Sequence, residues 1–242
     1  MPPLKSTAQP RAIRVSVSPS GHVTALLYHA APARRPGVCM ILAHGAGADQ
    51  NSAFMVQFAT GLAARGLATV TFNFPYTEHG RRLPDRNDRL EDCWRAVIAA
   101  VGTGEDFFAG TGCTLVIGGK SMGGRIASQV AADPAPAVAG VVLLGYPLHP
   151  PGRPDKLRAA HLGRIRAPML FVQGSRDAFG TPAELRTALA EAGATGDLRV
   201  VEGGDHSFKV PKRGGVPQDQ VYDAVLDDIV HWIRTRTGST AP

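Results

Sequence analysis

Gly119-Lys120-Ser121-Met122-Gly123 places a serine between two glycines, after the apolar, β-branched run Thr114 to Gly118 and before the helical pattern Met122 to Ala132. A strand that turns sharply into a helix holds a serine hydroxyl clear of the backbone, where it can act as a nucleophile. Glycines flank such a serine because the turn leaves no room for a Cβ beside a strained residue. The nucleophile then needs a base to take its proton and an acid to orient that base, in the chain order serine, acid, histidine.

Four histidines follow Ser121: His149, His161, His206 and His231. His231 falls inside the last helical pattern beside Trp232. His149 and His161 flank a Pro- and Arg-rich connection, where they are placed to touch substrate rather than to act as the base. His206 follows the strand-like run Leu198 to Val201, within Gly203-Gly204-Asp205-His206-Ser207-Phe208, on a loop that glycines allow to fold over the carboxyl edge of a sheet. It is the expected base. The acid is expected from the loop after the preceding strand, Met169 to Val172, where Gln173-Gly174-Ser175-Arg176-Asp177 offers Asp177 first. The intervals of 56 and 29 residues each hold the intervening strand-helix units. Asp205 competes, but a residue adjacent to His206 normally points away from its ring.

Acyl transfer also needs donors aimed at the developing oxyanion, each worth roughly 3 kcal/mol of barrier. The backbone N–H of Met122 is one. The other is expected from His44-Gly45-Ala46-Gly47, through Ala46, with Gly45 or Gly47 as alternatives, while His44 braces the loop. Two nucleotide-binding patterns share these glycines and fail on counting. A phosphate loop ending at Gly119-Lys120-Ser121 needs glycine where Thr114 stands, and a dinucleotide fingerprint starting at Gly45 meets Gln50 at its third glycine.

The elements that must position these groups alternate along the chain. Ala12 to Ser18 and His22 to Tyr28 alternate apolar and polar residues about Gly21, which predicts an antiparallel hairpin. Val38 to Ala43, Ala68 to Phe74, Thr114 to Ile117, Val138 to Leu144, Met169 to Val172 and Leu198 to Val201 are continuous apolar runs, suited to strands of a parallel sheet buried on both faces. Helical segments lie between and after them: Ser52 to Arg65, Arg86 to Val101, Met122 to Ala132, Pro182 to Ala192 and Pro217 to Arg236. In the last, Val221, Ala224, Val225, Ile229, Trp232 and Ile233 make one face. Repeated right-handed strand-helix units predict an α/β fold: a doubly wound, mostly parallel eight-stranded sheet with helices on both faces. Residues 11–237 are expected to form a single domain, with flexible ends at 1–10 and 238–242.

Composition sets the remaining bounds. The 242 residues are 44% hydrophobic and 19% charged, consistent with one globular domain. The net charge of +6 comes from 21 Arg against 5 Lys, dispersed singly or in pairs such as Arg34-Arg35 and Arg81-Arg82. With no run of five like charges, no nucleic-acid partner is expected. Cys39, Cys93 and Cys113 form neither a CxxC pair nor a disulfide framework. The first ten residues lack the apolar core of a signal peptide, and no apolar stretch approaches the roughly 18 residues of a membrane span, so a cytoplasmic protein without a membrane partner is expected.

HGAG, GKSMGG, GSRD and GGDHSF, in that order and spacing, resemble the α/β-hydrolase superfamily, and the match covers nearly the whole chain from about residue 20. Phe72-Asn73-Phe74-Pro75-Tyr76, Gly119 to Arg125 and Gly145 to Gly152 resemble a narrower group. These are small bacterial hydrolases near the dienelactone hydrolase branch, related to an animal testis-expressed protein and to a subunit of the NSL histone-acetyltransferase complex. The resemblance implies a triad of Ser121, Asp177 and His206. Dienelactone hydrolases proper use cysteine as nucleophile, so Ser121 is a departure that argues for ester or thioester hydrolysis rather than dienelactone chemistry itself.

Lids in this superfamily enter after the strand that follows the nucleophile helix. Here only Tyr146 to Arg166, 21 residues, separates the two strands, which predicts a minimal lid and an open site for a small acyl group. That connection carries Arg153, Lys156, Arg158, Arg164 and Arg166, and Arg81 and Arg82 lie in the other long loop; some of them would favour a carboxylate or phosphate on the substrate. Tyr76 and His149 are further candidates for substrate contact, and Arg125, one turn after Ser121, for bracing the loops. The expected function is a serine hydrolase acting through an acyl-enzyme on a small-molecule acyl substrate, with neither metal nor organic cofactor required. A non-catalytic interaction module on the same scaffold, or an acyltransferase or perhydrolase, are the alternatives.

Overall fold

A computed structural model of the chain describes residues 9–30, 37–108, 113–134, 136–211 and 215–237. The flexible ends expected at 1–10 and 238–242 lie outside the described residues except for Gln9 and Pro10, as does the pair Arg34-Arg35.

Eight strands form one sheet: β1 (Arg11–Val17), β2 (Gly21–Tyr28), β3 (Val38–Ala43), β4 (Ala68–Phe72), β5 (Thr114–Lys120), β6 (Gly140–Leu144), β7 (Met169–Gly174) and β8 (Asp197–Val201). Their order is β1-β2-β4-β3-β5-β6-β7-β8. β1 pairs with β2, and β2 with β4, antiparallel; every other pairing is parallel. The expected hairpin and parallel sheet are both present.

The apolar runs work as two-faced strands. In β3, Cys39, Ile41 and Ala43 enter the core on one face while Val38, Met40 and Leu42 enter the core on the other. β6 and β7 repeat the division, with Val141, Leu143, Met169 and Phe171 on the first face and Val142, Leu144, Leu170 and Val172 on the second. A residue period of two, with both sets apolar, requires helices on both sides. α3 (Asn87–Thr103), α5 (Met122–Ala131) and α6 (Pro182–Glu191) contribute to the first core, and α1 (Ala53–Ala64) and α7 (Gln218–Thr237) to the second. Two single-turn helices, α2 (Pro75–Glu78) and α4 (Glu105–Phe108), complete the set.

The expected boundaries shift where local chemistry intervenes. β4 stops at Phe72, because Pro75 begins α2 with Phe74 in extended conformation before it. β5 runs on to Lys120, through the two glycines that read as the start of the turn. A Cβ on Gly119 would lie 2.6 Å from the carbonyl oxygen of Ala43, and one on Gly123 would lie 2.5 Å from the same atom, so these glycines let β5 and α5 approach β3 closely. On α7, Tyr222, Leu226 and Val230 join the buried face, whereas Ala224 is exposed and Val221 half-buried.

The connection from β6 to β7 contains only a 3-10 turn, Leu162–Arg164, so no helical lid lies over the carboxyl edge of the sheet. Edge strand β8 carries charge: Asp197 accepts from Trp232 Nε1 and pairs with Arg236, and Arg199 pairs with Asp228.

Candidate active site

Ser121 sits between β5 and α5 with φ 52° and ψ −117°, a left-handed conformation unusual for a residue with a Cβ. The tight turn forces it, and it lifts the side chain off the sheet edge. Ser121 Oγ lies 2.9 Å from His206 Nε2. His206 Nδ1 lies 2.8 and 3.0 Å from the two carboxylate oxygens of Asp177. These three residues come from the ends of β5, β7 and β8, as the order of the chain requires.

Asp177 is 1% exposed. A buried carboxylate is tolerated only when its lone pairs are satisfied, and here the donors are present. Besides the imidazole, Phe179 N donates to Oδ1 at 2.8 Å and Gln173 Nε2 donates to Oδ2 at 2.9 Å. The Gln173 amide also donates to Gly180 O and Tyr146 O and accepts from Tyr146 N, tying the loops after β6 and β7 together. α6 starts immediately beyond with a capping box between Thr181 and Glu184, a motif worth about 1 kcal/mol. Asp205, the competing acid, is engaged elsewhere, since its Oδ1 accepts from Ser207 N and Lys209 N and so shapes the histidine loop.

His206 is held from two further sides. The Phe179 ring stacks on the imidazole at 4.2 Å between centroids. Lys120 Nζ donates to the carbonyl oxygen of His206 at 2.6 Å, and burial pulls the Lys120 ammonium down to about pKa 8 against the opposing fields of Asp177 and Asp205. Lys120 also lies 5.8 Å above the Phe54 ring.

The loop after β3 adopts the expected turn. Ala46 and Met122 both line the cavity above Ser121. Met122 opens α5, where the first N–H groups have no acceptor within the helix. His44 is fully buried; its Nε2 accepts from Phe74 N at 3.3 Å, so the proton sits on Nδ1 and is donated to Gly45 O at 2.9 Å. Burial lowers the pKa of this ring, in keeping with a neutral brace rather than a reacting group.

The cavity holds about 570 Å³ and is open to solvent. Phe54, Met55, Asn87, Arg125, Arg158 and Phe179 are among its walls. Several expected substrate contacts lie elsewhere. Tyr76 is 1% exposed, packed edge-on to His44 and stacked with Phe74, because α2 turns it into the core. His149 is buried, with Nδ1 against Pro150 O and Nε2 facing Glu184 at 3.6 Å. Arg81 turns to Asp85 and Arg82 is exposed; neither lines the cavity. Arg153 is paired with Asp155, and of the arginines in the loop after β6 it is Arg158 that reaches the cavity. His161 is bonded through Nε2 to Ser128 Oγ at 2.8 Å, behind α5.

Gln173, Phe179 and Lys120 join the site without being singled out by the sequence, and Arg125 is expected there only as a brace. Gln173 carries a signal, a lone amide closing an apolar run, and Lys120 another, a charge inside a buried turn. Phe179 has none, since its role depends on how the loop after β7 folds back.

A serine of positive φ at a strand-to-helix turn, with an aspartate and a histidine on later loops at the carboxyl edge of a doubly wound sheet, is the arrangement of an α/β-hydrolase. The chain belongs to that family: residues 36–234 match the α/β-hydrolase domain. Its fold is shared with a serine hydrolase homologue from Coxiella burnetii, at 20% identity and TM-score 0.70 over 93% of this chain and 97% of the other. A lidless member of the α/β serine hydrolases from Xanthomonas campestris gives 19% identity and TM-score 0.71 over 97% and 98%. A dienelactone hydrolase from Anabaena variabilis gives 23% and 0.69 over 93% and 99%. No helix among the described residues is long and apolar enough to cross a membrane.

Proposed function

We propose that the protein is a serine hydrolase that cleaves an ester or related acyl bond of a small molecule through an acyl-enzyme. The observation that carries this reading is the continuous relay from Ser121 Oγ through His206 to Asp177, with contacts of 2.9 and 2.8 Å. His206 Nε2 removes the Ser121 proton as Oγ attacks the acyl carbon. Asp177 holds the proton on Nδ1 and balances the imidazolium that forms. The N–H groups of Ala46 and Met122 receive the oxyanion, and His206 then protonates the leaving group. Water deprotonated by His206 attacks the acyl-enzyme, and Ser121 is regenerated.

The absence of a helical lid between β6 and β7 supports a small or protruding acyl group. A serine in place of the cysteine of dienelactone hydrolases supports ester or thioester substrates. We place the site of action in the cytoplasm, and the kinship of the chain with the group that includes the testis-expressed and NSL-complex relatives, on the strings around Pro75, Ser121 and Pro147.

Labelling with a fluorophosphonate tests the assignment. Wild type is expected to label, and Ser121→Ala and His206→Ala to be silent while folded. A folded wild type that does not label removes the hydrolase reading, and labelling that survives Ser121→Ala moves the nucleophile to another serine.

A further inference from the structure

Two guanidinium groups face the same cavity as Ser121, and neither is matched by a carboxylate. Arg125 lies in the first turn of α5, with its N–H bonded to Ser121 O at 3.0 Å, and both residues line the cavity. Its side chain donates only to neutral groups, Gln129 Oε1 at 3.2 Å and Asn87 Oδ1 at 3.1 Å. Arg158 enters from the loop after β6 and donates to Pro147 O at 3.4 Å. Its backbone is fixed at both polar atoms, N donating to Leu148 O at 2.8 Å and O accepting from Tyr146 Oη at 2.6 Å.

Other arginines are differently placed. Arg81, Arg95 and Arg153 are each paired with carboxylates, Asp85, Glu91 and Asp133, and Asp155 respectively. Among the described residues Arg125 and Arg158 have no such partner. They are also near enough to feel each other: burial first, and then the Arg158 charge, lowers the Arg125 pKa, with Tyr146 and Glu91 opposing. Asp85 also lines the cavity; Arg81 balances its charge through Oδ1, and its Oδ2 is buried without a hydrogen-bond partner among the described residues. Like charges held together in a partly desolvated wall raise the energy of the empty site, and an anion between them lowers it.

We infer that Arg125 and Arg158 form an anion subsite, and that the substrate is an acyl compound bearing a carboxylate or phosphate a few bonds from the scissile carbonyl. The separation is kept short because Ser121, Arg125 and Arg158 line one cavity of about 570 Å³. Forked N–H donors from two directions suit the paired oxygens of either group. This inference rests on the hydrolase reading above.

Matched esters test it: 4-nitrophenyl hydrogen adipate, its methyl ester, and the 4-nitrophenyl ester of 5-phosphonopentanoic acid. At low ionic strength the wild type is expected to favour at least one acidic ester over the neutral one by about ten-fold or more in kcat/KM. Which acid leads separates carboxylate from phosphate. In Arg158→Gln, in Arg125→Gln and in the double variant the ratio falls towards one, and in the wild type it collapses as salt rises to about 0.5 M. If wild type labels with fluorophosphonate at Ser121 yet shows no preference for either acidic ester, or if the preference persists in the double variant, the anion subsite is overturned and the hydrolase reading stands. If folded wild type neither labels nor cleaves, the hydrolase reading falls and the subsite falls with it.

Discussion

Lys120 Nζ donates to the carbonyl oxygen of His206 at 2.6 Å, so the residue before Ser121 holds the loop that carries His206. The distance between Ser121 Oγ and His206 Nε2 is thereby fixed from both ends of one short segment. Lys120→Met keeps the length of the side chain and removes the tether. A drop of about ten-fold in kcat with a short-chain 4-nitrophenyl ester is expected, since small misplacements of a reacting group are costly. Thermal stability should change little, because the lost bond is offset by relief from burying an ammonium. An unchanged kcat would show that the loop positions His206 without Lys120.

Removing the charge from Asp177 tests the far end of the relay. Asp177→Asn retains the Phe179 contact and loses the carboxylate that, in the proposed mechanism, stabilises the imidazolium. A loss of about 10³–10⁴ in kcat is expected, the scale of such changes in other triads. Near-wild-type turnover would mean that Asp177 only shapes the loop.

Gln173→Leu leaves Tyr146 N, Tyr146 O and Gly180 O without that side chain as a partner, and takes one donor from Asp177. Several buried groups orphaned together should destabilise the fold by about 2–4 kcal/mol. Urea unfolding measures it.

His161 confers a pH dependence on stability. Burial, then Arg125 and Arg164, depress its pKa from 6.5 to about 4. Between those values the unfolded chain binds the additional proton, so this contribution is fully present above pH 6.5 and is lost as pH falls through 4. The loss is about 2 kcal/mol, after allowing for partial solvent contact. In His161→Gln, denaturant midpoints measured from pH 7 to pH 4 should fall less steeply than in wild type.

Gly123→Ala adds a Cβ 2.5 Å from Ala43 O, against backbone that has nowhere to move. A destabilisation of about 3 kcal/mol or more is expected, visible as a lower thermal midpoint or loss of soluble protein.

Most of the architecture is legible in the sequence because both faces of the sheet are buried. Runs such as Val38 to Ala43 have no polar interruption, and that pattern leaves little choice but a parallel sheet between helices. Ser121, Asp177 and His206 are legible because each follows a strand directly, where chain order alone places it on the carboxyl edge. Arg125 and Arg158 are harder to rank. Arg125 is placed by its position in the first turn of α5, but which loop arginine turns inward depends on the bonds from Leu148 and Tyr146 that fix the Arg158 backbone. Tyr76 departs from expectation for the corresponding reason: the single turn of α2 rotates it from the sheet edge into the core.

Arg125 rides on α5 and Arg158 on an extended loop, and this division affects how such a site can diversify. The helix cannot alter the interval between Ser121 and Arg125 without shifting its own register against the sheet. The loop can lengthen, shorten or exchange its arginine while leaving the core packing intact. If Arg125 and Arg158 bind the ligand as inferred, change in its size or charge preference is cheapest in the segment between β6 and β7, where a few substitutions would leave the Ser121, His206 and Asp177 cluster unaltered.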